Sequence, residues 1–323
     1  MTGNSQASIR PTSIRPADAA GIASAAEALR AGGLVALPTE TVYGLAARAD
    51  SDRAVAAIYR AKGRPDFNPL IVHVLDLAEA ERLAVLDDRA QRLAEAFWPG
   101  PLTLVLPRRA EAPLAAAVTA GLATVALRCP AHPIMRAVLA AAGLPLAAPS
   151  ANRSGAVSPT RAEHVAASLA GKVDLVIDGG ACEAGIESTI VALRGDGGWQ
   201  VLRPGPIAQA QISALLGPPS DVTLSASGTG IEAPGQLASH YAPGKPVRLG
   251  AAAAAADEFH IGFGAVGGDV TLSADGDLAE AAALLYAALH QAAAATQPRI
   301  AVAPIPDDGI GLAINDRLRR AAA

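Results

Sequence analysis

Short apolar runs alternate with segments of helical periodicity over residues 16–205, and this alternation constrains the fold more than any other feature of the chain. Residues 19–31 repeat apolar side chains at helical spacing, whereas residues 34–38 (LVALP) form one continuous apolar run of strand length. Such alternation is typical of α/β domains, in which helices pack against a sheet. We therefore expect an α/β domain built on a mixed sheet.

The same patterns locate individual elements. A helix that begins near Ser51 or Asp52, both good N-cap residues, is predicted to end near Gly63. Thr160 and Glu163 have the spacing of a capping box, which predicts that a helix starts there. Strands are predicted at residues 34–38, 69–74, 102–106, 124–127, 144–148, 175–178, 188–193 and 200–202.

Composition divides the chain into four segments. Residues 1–13 are predicted to be a flexible N-terminus and residues 14–210 the main domain. Residues 211–246, dense in Gly, Pro and Ser, are predicted to be a linker that acts as a tether or a lid. Residues 247–323 are predicted to be a small C-terminal α/β domain with its best helix at 278–294. A GxGxxG match in that domain (Gly262, Gly264, Gly267) precedes a predicted strand rather than a helix, so it predicts a tight turn.

Composition also argues against several classes of function. The 26 Lys and Arg against 30 Asp and Glu give a net charge of −4, which provides no general attraction for nucleic acid. Aromatic residues make up 3% of the chain, too few for a base-stacking surface. Cys129 and Cys182 match neither a zinc motif nor a disulfide framework, which favours a reducing cytoplasm. The longest apolar run, residues 112–127, is shorter than the roughly 20 residues of a membrane span, so we expect no membrane insertion. Asp18 and Glu27 interrupt the N-terminal stretch where a secretory signal needs an apolar core, so we expect no export.

Polar residues collect at the ends of the predicted strands, in a chain without a P-loop, HExxH or GxSxG motif. Four cations lie at predicted strand ends or in loops: Lys62 and Arg64, just past the end of a predicted helix, and Arg128 and Arg203. Simpler interpretations stay open, since cations past a helix end complement its dipole, and PTETVYG and APSANRSG are compatible with capped or Asx turns. Arg128 follows a predicted buried strand, where it needs a carboxylate or phosphate partner. Together these residues predict a site for a polyanion and a small zwitterion.

Six strings in a fixed order resemble the threonylcarbamoyl-AMP synthase family, whose catalytic unit is the YrdC-like domain. They are PTETVYGL, KGRP, NPLIVH, SANRSG, ESTIV and RPG, within residues 34–205. The KxR and SxN pair of the family appears here as Lys62, Arg64, Ser150 and Asn152. SHYAP at residues 239–243 and the C-terminal tail resemble the long, two-domain form. The resemblance implies a twisted mixed sheet with flanking helices, joined by a long linker to a second domain.

The resemblance also implies an activity and a set of site residues. The activity is synthesis of L-threonylcarbamoyl-adenylate and diphosphate from ATP, L-threonine and bicarbonate, for the N6-threonylcarbamoyladenosine modification at tRNA position 37. The implied L-threonine ligands are Thr41, His73, Arg128, Ala148 and Ser188. The implied ATP ligands are Arg64, Asn68, Thr124, Ser150, Asn152, Ser158, Arg203 and Tyr241, with Lys62 and Arg64 as the catalytic pair. Tyr241 lies in the predicted linker, which implies that the linker folds over the nucleotide.

The implied chemistry agrees with the residues present. A carbamate formed from threonine and bicarbonate attacks the α-phosphorus, so the protein supplies orientation and positive charge rather than a nucleophile. Mg²⁺ is expected to arrive with ATP and to retain water, because no carboxylate cluster predicts a dedicated metal site, and no organic cofactor is expected. The expected partners are the substrates and a downstream tRNA threonylcarbamoyl transferase in the cytoplasm, without a membrane.

Two other interpretations stay open at this point. A module that binds tRNA or double-stranded RNA without chemistry would show steep salt dependence and no ATP turnover. An adenylate-forming enzyme for another amine would accept analogues that lack the threonine hydroxyl.

Overall fold

The structure, a computed structural model, describes residues 12–220, 231–236 and 239–323. The predicted flexible N-terminus and the predicted linker therefore lie partly outside the described residues, at positions 1–11, 221–230 and 237–238. Within the described ranges the chain forms a ten-stranded sheet and a four-stranded sheet. The prediction of an α/β fold with a second, smaller α/β domain is confirmed.

The larger domain alternates strands and helices. Its strands are β1 (Ser13–Pro16), β2 (Val35–Leu37), β3 (Gly44–Arg48), β4 (Ile71–His73), β5 (Leu102–Pro107), β6 (Thr124–Arg128), β7 (Leu146–Ala147), β8 (Leu175–Asp178), β9 (Thr189–Leu193) and β10 (Trp199–Arg203). Its helices are α1 (Ala19–Arg30), α2 (Asp52–Lys62), α3 (Leu77–Leu83), α4 (Asp88–Phe97), α5 (Ala116–Thr119), α6 (Pro133–Ala142), α7 (Ala162–Leu169) and α8 (Gln209–Leu216).

The sheet of the larger domain is mixed, as predicted. Its strand order is β1-β8-β2-β3-β7-β4-β6-β5-β9-β10. The pairs β4·β6 and β5·β9 are parallel, whereas β5·β6 and β9·β10 are antiparallel. Register places His73 directly beside Arg128 on the neighbouring strand, and Thr189 beside Leu102. Residues distant in sequence therefore meet at one place on the sheet.

The two faces of strands β4, β6, β5 and β9 have different covers. One face belongs to the main core, which includes Ile58 of α2 and Leu93 of α4. The other face carries four apolar residues that pack against Ala233 of the linker, and we call this set the apolar strip. It consists of Ile71, Val105, Ala126 and Ile190. Because strand side chains alternate between faces, His73 and Arg128 project from the same face as the strip. The linker, rather than a helix, covers this face.

The C-terminal domain is a small parallel sheet with two helices. Its elements are β11 (Val247–Arg248), β12 (Glu258–Gly262), β13 (Val270–Thr271), α9 (Leu278–Ala294), β14 (Arg299–Val302) and α10 (Gly311–Ala321). The strand order is β11-β14-β12-β13. Its apolar core also includes Val42, Val157 and Ile186 of the larger domain, so the two domains share a packed interface.

Two local predictions have opposite outcomes. The GxGxxG segment is a tight turn, as predicted: the Phe263 N–H donates to the Val266 carbonyl, and strand β13 follows. The capping box at Thr160 is wrong, because α7 begins at Ala162 with Arg161 as its N-cap. The Thr160 backbone N–H donates instead to His164 Nδ1 at 3.3 Å.

Among the helices of the described residues, none has the length and hydropathy that a membrane-spanning segment needs.

Candidate active site

A cavity lies on the face of the sheet that the linker covers. Nine of the predicted site residues line it: Thr41, Arg64, His73, Arg128, Ala148, Ser150, Ser188, Arg203 and Tyr241. Three polar residues to which the sequence analysis assigned no ligand also line it: Thr39, Glu187 and His240. The lining side chains come from strands β4, β6 and β10, from the loops at residues 39–42, 64, 148–150 and 187–188, and from the linker.

Arg128 occupies one end of the cavity and donates three hydrogen bonds to neighbouring groups. Its Nη2 donates to Glu40 Oε1 at 2.6 Å, its Nη1 to Thr41 Oγ1 at 2.8 Å and its Nε to the Gly100 carbonyl at 3.2 Å. Burial opposes ionisation of Glu40, but the charge and hydrogen bond of Arg128 prevail and lower the pKa of that carboxyl. The predicted need of Arg128 for an anionic partner is thus met by Glu40, and its charge is largely compensated.

His73 lies beside Arg128 and is uncharged. Burial, reinforced by the charge of Arg128, lowers the pKa of His73 to about 3. Its Nδ1 has no hydrogen-bond partner among the described residues, and the same holds for Asn68 Nδ2, Asn152 Oδ1 and His240 Nδ1. Buried polar atoms are rarely left unpaired in native proteins. Their concentration in and behind this cavity indicates a site that is completed by a polar ligand.

Arg64 and Arg203 stand at the other end of the cavity without a carboxylate. Arg64 donates to the Asn68 side-chain oxygen at 2.6 Å and to the Pro69 carbonyl at 2.9 Å. Arg203 donates to the Ser188 carbonyl at 2.9 Å and to Ser188 Oγ at 3.1 Å. Burial lowers the pKa of Arg64 to about 10, so it remains charged near neutral pH. No carboxylate among the described residues hydrogen-bonds either of these arginines.

Four predicted site residues lie directly behind the lining. Lys62 Nζ donates to the carbonyls of Ser150 and Asn152, at 2.5 and 2.7 Å. Burial, followed by the charge of Arg64, holds the pKa of Lys62 well below its usual range. Asn152 Nδ2 donates to the Arg153 and Ala156 carbonyls, which fixes the same turn from inside. The four residues are Lys62, Asn68, Asn152 and Ser158.

Thr124 lies apart from the other predicted residues. It begins β6, opposite Pro107, whereas Arg128 ends the same strand. Four residues of strand separate them by about 13 Å. The alternation of side chains still places Thr124 on the face of the apolar strip, beyond Ala126.

The linker closes the cavity. Tyr241 is 1% exposed, and its ring centroid lies 5.6 Å from that of Tyr286 in α9. The Ala242 N–H donates to the Gly155 carbonyl at 2.8 Å, and Glu232 forms an ion pair with Arg194 at 2.5 Å. Gly235 approaches so closely that a Cβ there would lie 3.0 Å from the Tyr241 hydroxyl. The sequence indicated the lid, although not its contacts with the second domain.

Sequence reasoning missed two carboxylates at this site. Glu40 directly precedes Thr41, and Glu187 directly precedes Ser188, two residues predicted to bind the substrate L-threonine. This adjacency is the signal in the sequence that could have identified the two carboxylates. Among the described residues no group of three or more His, Cys, Asp or Glu could hold a metal ion.

Two family models match the chain in succession. The model described as "Telomere recombination" (Sua5, YciO and YrdC) matches residues 27–205, and the model described as "Threonylcarbamoyl-AMP synthase, C-terminal domain" matches residues 207–323. The chain is 43% identical to the threonylcarbamoyl-AMP synthase of Bacillus subtilis, over 93% of this chain and 92% of that protein. It is 38% identical to that of Pyrococcus abyssi, over 92% and 93%.

Solved structures give the same result. The structure of P. abyssi Sua5 complexed with L-threonine superposes with a TM-score of 0.85 at 36% identity, over 97% of each chain. Full-length HypF, at 22% identity and a TM-score of 0.51 over 58% of this chain and 30% of that one, shares the fold of the larger domain alone. Since both domains match their family models and relatives above 30% identity cover more than nine-tenths of the sequence, the chain belongs to the threonylcarbamoyl-AMP synthase family.

Proposed function

We propose that the cavity binds L-threonine at the Arg128 end and ATP at the Arg64 end, and so carries out the synthesis of threonylcarbamoyl-AMP for tRNA modification. The observation that carries this assignment is the set of buried cations, Lys62, Arg64 and Arg203, none of which hydrogen-bonds a carboxylate among the described residues. Buried cations require anionic partners. The phosphate groups of a nucleoside triphosphate supply these anionic partners.

At the threonine end, the side chains suit a small zwitterion with a hydroxyl. The N–H groups of Arg128 that Glu40 and Thr41 leave free bind the substrate carboxylate. Neutral His73 and the Ser188 hydroxyl, which lies 2.7 Å from Thr103 Oγ1, offer hydrogen bonds to the substrate amine and hydroxyl. Ala148 bounds the space for the substrate methyl group.

At the nucleotide end, Arg64 and Arg203 bind phosphate oxygens. Lys62 and Asn152 hold the 150–152 turn, which presents the Ser150 hydroxyl to the same anion. Two of the three ammonium N–H groups of Lys62 are engaged, and the third remains for a phosphate oxygen. Asn68 and Ser158 support the pocket from behind, and Tyr241 covers it. A contact of the nucleoside with Thr124 is also proposed, and it requires Ala233 of the linker to move off the apolar strip.

The proposed reaction needs no nucleophile from the protein. The neutral amine of threonine combines with bicarbonate to give a carbamate and water. A carbamate oxygen then bonds to the α-phosphorus, the bond from that phosphorus to the α–β bridging oxygen breaks, and diphosphate leaves. The protein orients the two substrates and supplies positive charge where negative charge develops. Magnesium ion suits this donor set when it is held by phosphate oxygens and water, because Glu40 and Glu187 are both engaged by arginine. Its chemistry there is charge neutralisation on the phosphates.

The product requires a partner. We assign the transfer to tRNA to a separate threonylcarbamoyl transferase, and we propose the cytoplasm as the location because Cys129 and Cys182 are both free thiols. Direct contact with tRNA or double-stranded RNA would be weak, given the net charge of −4.

Diphosphate release from ATP tests the proposal, with L-threonine and bicarbonate omitted one at a time. We expect release that depends on both. Salt-sensitive RNA binding without turnover would contradict the synthase assignment, and equal turnover with serine and with 2-aminobutyrate would contradict the threonine pocket.

A further inference from the structure

Glu187 is a buried carboxylate in a site for a polyanion. It lines the cavity, is 6% exposed and directly precedes Ser188, which contacts Arg203. Left without other partners, a carboxylate here would repel the phosphates of a nucleotide or pair with Arg203. In the structure the Glu187 carboxylate forms no hydrogen bond with Arg203, because other groups occupy it.

Two side chains of the C-terminal domain, Arg317 and Tyr286, bind the Glu187 carboxylate. Arg317 Nε in α10 donates to Glu187 Oε2 at 3.0 Å. The Tyr286 hydroxyl in α9 lies 2.9 Å from Oε2 and 3.1 Å from Oε1. Arg317 is fully buried, and its Nη1 also donates to the Pro204 carbonyl at 2.8 Å, next to Arg203 in sequence.

The larger domain adds one bond to the carboxylate. Ser158 Oγ donates to Glu187 Oε1 at 2.5 Å. Burial opposes ionisation, but the charges of Arg317 and then Arg203 prevail and lower the pKa of Glu187 to about 2. Glu187 is therefore ionised and satisfied, while the N–H groups of Arg203 point to Ser188 and the linker.

The C-terminal helices also hold the two loops that carry these groups. Gly185 has φ 68°, and a Cβ there would lie 2.4 Å from the Ala282 carbonyl oxygen of α9. His290 Nε2 of α9 lies 3.1 Å from the Ser158 carbonyl oxygen, and its ring stacks on His164 at 3.9 Å between centroids. The loop before Ser188 and the loop at Ser158 are thus both docked on α9.

We propose that Arg317 and Tyr286 are positioning residues of the nucleotide site: they engage Glu187 so that Arg203 stays available for a phosphate. The C-terminal domain then supplies part of the active site rather than a separate function. The identity of the bound anion as ATP rests on the proposed function.

A double-mutant cycle tests this role. ATP affinity is measured by calorimetry without threonine in wild type, Arg317→Met, Glu187→Gln and the double variant. We expect Arg317→Met to weaken ATP binding at least about tenfold, because it leaves an unpaired carboxylate beside the phosphates. The double variant should bind ATP within about threefold of Glu187→Gln alone, since no charge is left unpaired. In turnover, Arg317→Met should raise the KM for ATP more than that for threonine, which carries no net charge.

Two further variants control the cycle. Arg299→Met removes an exposed arginine of the same domain, paired with Asp257, and should leave ATP affinity unchanged. Tyr286→Phe removes one hydroxyl from Glu187 without a change of volume, and should weaken ATP binding by about twofold to fivefold even if Arg317→Met does not fold.

The outcomes separate this inference from the proposed function. Unchanged ATP affinity in Arg317→Met and Tyr286→Phe, or a double variant no better than Arg317→Met, would overturn the positioning role. If the wild-type protein binds ATP but releases no diphosphate with threonine and bicarbonate, the proposed function is overturned. The ATP affinities of the double-mutant cycle then still test the positioning role of Arg317 and Tyr286. Wild type that does not bind ATP would overturn both.

Discussion

The two ends of the cavity handle positive charge in different ways. At the threonine end, Arg128 is paired with Glu40 at 2.6 Å. At the nucleotide end, Arg64 and Arg203 donate to carbonyl, amide and hydroxyl oxygens and to no carboxylate among the described residues. Both ends are equally buried, so exposure to solvent does not explain the difference.

The difference matches the charge of the proposed ligands. A zwitterion brings no net charge, and a compensated arginine can orient its carboxylate without a large change in local charge. A triphosphate brings several negative charges, and cations that no carboxylate hydrogen-bonds attract it strongly in a low-dielectric pocket. Each of the following changes should therefore affect one end of the cavity and spare the other.

Arg64→Ala should have the largest effect on catalysis. Loss of charge-assisted bonds worth about 1.5–3 kcal/mol each should lower kcat/KM for ATP on the order of 100-fold. The free energy of unfolding should fall by no more than about 1–3 kcal/mol, because the buried oxygens of Asn68 and Pro69 lose a donor but no ion pair is broken among the described residues. Steady-state diphosphate release measures the effect. Arg60→Ala, which removes an exposed cation of helix α2 four residues before Arg64, should retain wild-type kinetics; equal activity in both variants would refute the nucleotide assignment.

Arg128→Met should act on the threonine end. We expect the KM for threonine to rise about 30-fold while the KM for ATP changes by less than about threefold. The variant should also lose about 3–5 kcal/mol of unfolding free energy, because Glu40 becomes a buried, unpaired carboxylate.

The double variant Glu40→Gln/Arg128→Met separates these two effects. Stability should return, because no buried charge is left unpaired, but the KM for threonine should stay high. An equal rise in both KM values in Arg128→Met would show that the two ends of the cavity are not distinct.

His73→Asn should change the pH dependence of stability at the threonine end. The pKa of His73 is about 3 in the folded protein, below the value near 6.5 expected when unfolded. The unfolded state therefore binds the extra proton, and stability from this residue is present above pH 6.5 and is lost as pH falls toward 3. The slope is about 1.4 kcal/mol per pH unit. Urea unfolding at pH 7, 6 and 5 should show a shallower decline in the variant; parallel declines would contradict a buried, neutral His73.

The sequence allowed prediction of elements whose periodicity is local. Helix α9 occupies the predicted residues 278–294, where Asp277 accepts hydrogen bonds from Ala279 and Glu280 N–H. Strand β3 was not predicted because its sequence, GLAAR, has low strand propensity. It forms since β2 and β7 pair with it on both sides. Pairing of this kind depends on tertiary structure.

The candidate site divides in the same way. The motifs identified Arg64, Arg128 and Arg203, because unusual cations at strand ends are visible in the sequence. Glu187 was missed because Arg317 is 130 residues away along the chain, and Glu40 was missed because Arg128 is 88 residues away. The partner of a buried charge follows from how domains and strands are brought together, which a local pattern does not contain.

The backbone of Tyr241 has a consequence for the exchange of substrate and product. Its φ of 64° is in the left-handed region, which costs a residue other than glycine roughly 1–2 kcal/mol. The closed linker offsets this cost through packing of the Tyr241 ring, which lies 5.5 Å from the Arg317 guanidinium. A rearrangement of the linker that returned Tyr241 to negative φ would recover this cost, which corresponds to a factor on the order of 10 in an equilibrium constant. We therefore expect the contacts of residues 239–243 to be easier to open than their burial alone indicates, and faster hydrogen exchange of this segment than of strand β6 would show it.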